Sequence, residues 1–337
     1  MAIGATIRGD LNTQVVQAQS ILDMFIGLRV APLYGAETKS GEYPKFEIGG
    51  AQLLDPHASD RQQGGSYNEV TRQHATDTYN CQDRGLVERV DDSYREDVSR
   101  FFDAEVNAAR MTLQNVLLTH ERRVANITFD PTAFNATSAA TAYTGTNLAT
   151  SDPALDILEA IEKLEDSGCV PNSIVIPSRI MSYIGRSTRF QNFAKQYGLL
   201  APGQAVITPS SLVAAFQDRG IQQVLVGKGA FNSAKNRSSV SLTPIWGQRY
   251  IWIGKLPVQA PTLADAEGQT AFGISPFDSM GGAMRTFAWN AEGGAIVTET
   301  YRDDDRRSEI VRVRQFTDEK VIDSRAGQLI DTGFTGS

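Results

Sequence analysis

The sequence predicts an α+β fold, and three observations carry the prediction. Residues 91–130, "DDSYREDVSRFFDAEVNAARMTLQNVLLTHERRVANITFD", read as one uninterrupted amphipathic helix. Residues 151–230 alternate helices with short strands, and the chain after residue 240 turns to strands. With 337 residues, 41% of them hydrophobic, there is enough apolar material for two cores. A net charge of -7 without any Lys/Arg block argues against a dedicated nucleic-acid binder, because phosphate affinity comes from concentrated positive charge. No apolar signal core and no run near the roughly 20 apolar residues of a membrane span is visible, so the chain is expected to stay in its maker's cytoplasm. Cys81 and Cys169 lie far apart without a CxxC and read as free thiols.

In chain order, residues 1–40 form an arm with one helix in "LNTQVVQAQSILDMFIGL", where Val15, Ile21, Leu22, Phe25 and Ile26 fall at helical spacing before Pro32. Residues 41–90 carry two strands, "YPKFEIGG" and "TDTYNCQDRGLVERV", around a long polar excursion. They predict a projecting hairpin that needs a neighbour to be stable. The long helix spans 93–128, with Ser93 and Glu96 as a capping box and Arg122 and Arg123 at its negative dipole end. Val98, Phe102, Val106, Ala109, Leu113, Val116, Leu117, Val124 and Ile127 make one apolar stripe, and at about 36 residues the helix would be roughly 54 Å long. Residues 131–150 are small and polar, a loop or junction.

The next unit opens with a helix capped by Asp152, with Pro153 at its first position and Gly168 past its end. "SIVIP" is a buried strand, "PSRIMSYIGRS" a short helix, "TPSSLVAAFQDRG" a helix capped by Thr208 and Pro209, and "QQVLVGKGAF" a second strand. The closing "GGAIVTETYRDDDRRSEIVRVRQFTDEKVI" is two strands joined by an acidic turn.

Chemistry is harder to find. His120 falls in the helix stripe, where a packed neutral imidazole is expected, and His57 and His74 sit in the projecting hairpin. "VGKGAF" around Lys228 lacks the spacing and the Ser/Thr of a phosphate loop. The carboxylates of Asp303–Asp305 suit a hard cation, but the flanking arginines would neutralise them. No catalytic residue, cofactor site or metal site is identified.

An arm, a projecting hairpin, a very long helix, an α/β unit and a closing β segment, in that order, resemble the major capsid protein of tailed bacteriophages, the Hong Kong 97-type fold. "DPALDILEAIEKLEDSGCVPNSIVIPSRIMSYIGRS" looks like that family's entry into its axial A domain, and "AIVTETYRDDDRRSEIVRVRQFTDEKVIDSRAGQLIDTGF" like its closing segment. The resemblance implies an N-terminal arm (1–40), an E loop (41–90), a P domain (91–150) with spine helix 93–128, an A domain (151–285) and a return to the P domain (286–337). It implies a structural protein without turnover, assembling into hexamers and pentamers of a virion shell in the host cytoplasm and enclosing double-stranded DNA without sequence-specific binding. Arg61, Arg72 and Arg84 of the hairpin would meet acidic partners on neighbouring subunits, and Gly41, Gly49, Gly50, Gly64 and Gly65 would serve as hinges between quasi-equivalent conformations. Only about 40 residues precede the hairpin, so a separate scaffolding protein is expected, with a portal; a decoration protein stays open. The alternatives are an encapsulin-like compartment shell, a soluble α/β enzyme with an unrecognised site, and a tail-tube or sheath component.

Overall fold

Asp103 decides where the long helix starts. In the computed structural model, which describes residues 6–7, 25–45, 60, 66, 75–98, 103–198, 207–234, 239–257, 282–289 and 296–334, Asp103 is extended (φ -75°, ψ 114°). Its carboxylate accepts from the amides of Glu105 and Val106 and caps a 25-residue helix, α3 (Ala104–Thr128). A short helix, α2 (Asp92–Val98), precedes it. The single helix expected over 93–128 is therefore two: an extended residue cannot continue a helix, and its side chain takes amides that continuation would have used. At the start of α2, Asp91 rather than Ser93 is the acceptor, taking the Ser93 N–H at 2.9 Å and the Ser93 hydroxyl at 2.5 Å.

Ala109, Leu113, Val116, Leu117 and Val124 bury the apolar stripe of α3. It lies on a six-stranded sheet organised by β14 (Ser308–Val321). On one side β14 pairs with β5 (Gln82–Asp91), from Ser308↔Asp91 to Thr317↔Gln82. It also pairs antiparallel with β13 (Ile296–Asp303) and β12 (Met284–Trp289), which carry β1 (Thr6–Ile7) and the parallel β2 (Leu33–Ala36) respectively. Along β14, Val311, Val313, Gln315, Thr317 and Glu319 alternate as buried positions, the period-2 signature of a strand.

The hairpin has the expected root: β3 (Ser40–Lys45) pairs antiparallel with β4 (Ala75–Asn80). Its second strand, expected to run unbroken over 76–90, is divided at Cys81. That residue is fully buried and donates its N–H to Lys39 O at 2.8 Å, and there the chain exchanges β3 for β14 as partner. Gly41 lies in β3 opposite Tyr79, whose hydroxyl a Cβ there would crowd at 2.9 Å. Gly49, Gly50, Gly64, Gly65, Arg61, Arg72, His57, His74 and most of the expected arm helix lie outside the described residues. Besides β1 and β2, what is described of the arm includes a turn of helix, α1 (Gly27–Val30), with Phe25, Ile26 and Val30 buried.

A second, five-stranded sheet has the order β6 (Asn135–Ser138), β15 (Gly327–Asp331), β11 (Tyr250–Gly254), β7 (Ser173–Pro177) and β8 (Gln223–Gly227). Its strands divide their side chains between two cores. Ile174, Ile176, Ile251, Ile253 and Ile330 join the helices α4 (Pro153–Asp166), α5 (Ser178–Arg186), α6 (Thr188–Gln196) and α7 (Pro209–Phe216), while Val175, Leu225, Trp252 and Leu329 join the core of α3. Local signals act as expected: Asp152 accepts from the Leu155 N–H, Thr208 and Ser211 form a capping box, and Gly168 has φ +80°. Three departures are topological. The 131–150 loop contains β6, β12 begins inside the range expected for the α/β unit yet joins the six-stranded sheet, and β15 enters the α/β sheet instead of returning to the long-helix unit. Helix α6 had no counterpart in the sequence reading. Short β9 (Ala230–Asn232) and β10 (Leu242–Pro244) form a separate ribbon.

One buried carboxylate ties the segments together. Glu121 of α3, 1% exposed, accepts from the Ile26 N–H at 2.9 Å and the Trp246 indole N–H at 2.7 Å through one oxygen, and from the Gly27 N–H at 2.6 Å through the other. Burial raises its pKa, against the pull of the three donors. At residue 27 a Cβ would collide with Glu121 Oε2. Glu121→Gln sets an NH2 group against at least one of these buried N–H donors, and is expected to lower the unfolding free energy by about 2–3 kcal/mol. Urea titration at neutral pH reads this, and a variant as stable as wild type would mean that the three bonds are not needed to hold the junction.

Candidate functional site

The buried charge of the protein concentrates between α3 and β14. His120 and Arg123 share a helix face at i, i+3, and Thr317 and Glu319 share a strand face at i, i+2. Glu319 thus meets His120 Nδ1 at 3.0 Å and the Arg123 guanidinium at 2.9–3.1 Å, with Arg84 Nη1 of β5 at 3.9 Å. Burial alone would raise the Glu319 pKa, but the bonds and charges of His120 and Arg123 outweigh it and hold the carboxyl well below its usual range. On the opposite sheet face, Glu299 is bound by Arg312 and Arg314, and at the sheet's end Arg302 grips Asp92 with two bonds of 2.6 Å. These groups tie strands and helices within the chain; a carboxylate kept ionised by arginines beside it is poorly placed for proton transfer.

The residues singled out by sequence are mostly not brought together. His120 is buried as expected, but bonded to a carboxylate rather than packed alone. Arg84, expected to reach a neighbouring subunit, has an acidic neighbour in its own chain in Glu319. Both cysteines are free and buried, and burial pushes each thiol up to about 11, far from a reactive thiolate. Asp304–Arg307 forms the β13–β14 turn, with Asp304 3.3 Å from Arg302, and Asp303 at the end of β13 lies 4.0 Å from Arg89 and from Arg306. Among the described residues, no group of three or more His, Cys, Asp or Glu could hold a metal ion, and no helix is long and apolar enough to cross a membrane. Sequence reasoning missed Glu121, Glu299 and Glu319; an acidic residue inside an apolar stripe, as at Glu121, is the signal that points to the first.

Lys228 has a place that its motif did not suggest. It lies at a cleft of about 750 Å³ along β8, lined also by Arg29, Arg186, Met181 and the three residues Val224, Leu225 and Val226. Volume and apolar lining are those of a ligand or peptide site.

No protein-family model and no curated protein matches the sequence. The fold does match solved structures along its length. A phage-related protein of Bordetella bronchiseptica RB50 is 19% identical, with 98% of both chains covered and a TM-score of 0.69. The capsid structure of cyanophage P-SCSP1u matches at 10% identity over 91% of this chain and 88% of that one, with a TM-score of 0.55. A virus-like particle from Pyrococcus furiosus matches at 9% identity over 95% and 97%, with a TM-score of 0.52. The chain carries the α+β fold of phage capsid proteins.

Glu319→Gln is expected to cost about 3 kcal/mol near pH 7, since it removes the buried counter-charge of the part-buried Arg123 guanidinium. A carboxylate with a lowered folded pKa gives stability that is present above its unfolded value and lost as pH falls through the folded one, so the gap to wild type should narrow below about pH 4. Urea titrations at neutral pH and in acid test it; a gap independent of pH would mean that shape, not charge, makes the tie.

Proposed function

We propose that this chain is the major capsid protein of a tailed bacteriophage, a Hong Kong 97-type subunit that assembles into hexamers and pentamers of a shell around double-stranded DNA. The observation that carries the reading is a fold shared along nearly the whole chain with a phage-related protein and with a cyanophage capsid protein. The physical layout supports it. A 25-residue helix, roughly 37 Å of rigid rod, clamped by buried ion pairs onto a long-stranded sheet, suits a stiff building block. A net charge of -7 suits a container that must not hold its genome too firmly.

In this reading α3 is the spine of the P domain, β3 and β4 are the root of the E loop, and residues 151–285, with α4 to β11, form the A domain. Arg61 and Arg72 remain intersubunit contacts toward acidic neighbours. The glycines at 41, 49, 50, 64 and 65 remain hinges. A separate scaffolding protein and a portal complete assembly in the host cytoplasm, and the subunit has no turnover. A second reading, a shell that is not a phage head, draws on the virus-like particle from Pyrococcus furiosus.

Negative-stain electron microscopy of the purified chain, alone and co-expressed with a scaffolding protein from its own gene cluster, tests the proposal. Closed polyhedra or five- and six-fold capsomers are expected, and nuclease-protected DNA in particles from host cells would favour the phage head over the second reading. A uniform population of small oligomers under both conditions would overturn both.

A further inference from the structure

Strand β8 closes one end of the five-stranded sheet, and no described strand pairs with its outer edge. Such an edge presents free main-chain donors and acceptors. The cleft of about 750 Å³ is lined by this strand. Its apolar part comes from Val224, Leu225 and Val226, with Met181 of α5, and three cations line it as well: Arg29, Arg186 and Lys228. No Asp or Glu is among its described lining residues, although the chain as a whole carries a net charge of -7. Arg29 donates to Gln223 Oε1 at 3.0 Å and Arg186 to the Ser182 carbonyl at 3.3 Å. Among the described residues none of the three cations is paired with a carboxylate, whereas Arg123, Arg249, Arg302 and Arg314 are.

We infer that the outer edge of β8 is a docking site for an extended acidic peptide segment of a partner protein. The segment adds to the sheet as a further strand, seats an aliphatic side chain in the cleft and sets its carboxylates on Arg29, Arg186 and Lys228. Main-chain pairing gives affinity, and the apolar pocket and the cations give specificity. An acidic peptide satisfies all three features, whereas a nucleic-acid backbone satisfies only the cations and leaves the apolar part of the cleft without a partner. The inference stands whether or not the chain builds a shell.

The test is fluorescence polarisation with labelled Asp-Glu-Leu-Val-Glu-Asp as probe. Comparators are the Lys/Arg counterpart of that peptide, a version with alternate backbone amides methylated, and a short oligothymidylate. The expected result is saturable binding of the acidic probe with a Kd on the order of 10–100 μM. Affinity should fall at least tenfold on backbone methylation, and at least tenfold in the exposed double variant Arg186→Glu/Lys228→Glu, which should in turn bind the basic peptide. The methylated probe needs only the wild-type protein, so the proposal stays testable if the variant folds poorly. No saturable binding up to about 1 mM, indifference to methylation, or equal competition by oligothymidylate would each overturn it.

Discussion

The carboxylate of Glu121 is the constraint on which the core around α3 depends. It sits inside α3, takes two backbone amides from the start of α1 and one indole from Trp246, and so fixes three segments that are remote in sequence. Removing a carboxylate from water is costly, and only its full set of donors offsets that cost. The geometry is correspondingly intolerant of change. Gly27 leaves no room for a side chain against Glu121, and Gly227 none against the Trp246 ring. Phe129 then meets Trp246 edge-on at 5.5 Å, which carries the same junction to the end of α3.

From that junction outward, the chain spends its buried charges on itself. Glu319 and Glu299 lie on opposite faces of the six-stranded sheet, and each is held by two arginines or by an arginine and a histidine. Asp92 and Arg302 close the far end. Removing either partner of such a pair strands the other, so the pairs favour one arrangement of helix over sheet more than they add stability. β14, paired along its length, supplies a partner to both the Glu319 and the Glu299 ties.

What could be read from sequence was what is decided locally. Asp152, Pro153 and Gly168 bracket α4, Thr208 caps α7, "SIVIP" is buried on both faces, and β13 and β14 flank their acidic turn as expected. The errors lie where local signals compete or distant pairing decides. Asp103 is an ordinary N-cap residue, but the apolar stripe running through it argued for continuity, and the cap won. At Cys81 no Gly or Pro marks the exchange of partners, and only the position of β14 separates the two strands. The polar "NATS" of β6 has no alternation to reveal it, since parallel pairing with β15 holds it. The cleft was illegible for the same reason: Arg29, Arg186 and Lys228 meet only through the fold.

Strand β15 sets the order in which the fold is completed. It lies between β6 and β11, so residues 327–331 fill the space between elements made almost two hundred and almost eighty residues earlier. During synthesis β7, β8 and β11 can associate, but β6 has no strand beside it and Trp252 lacks its Leu329 neighbour until this strand emerges. Insertion of one short strand is thus the step that closes both cores together. A chain cut short by a few tens of residues would keep most of its mass yet leave β6 and β11 unjoined and each core without its residue from this strand, Leu329 in one and Ile330 in the other.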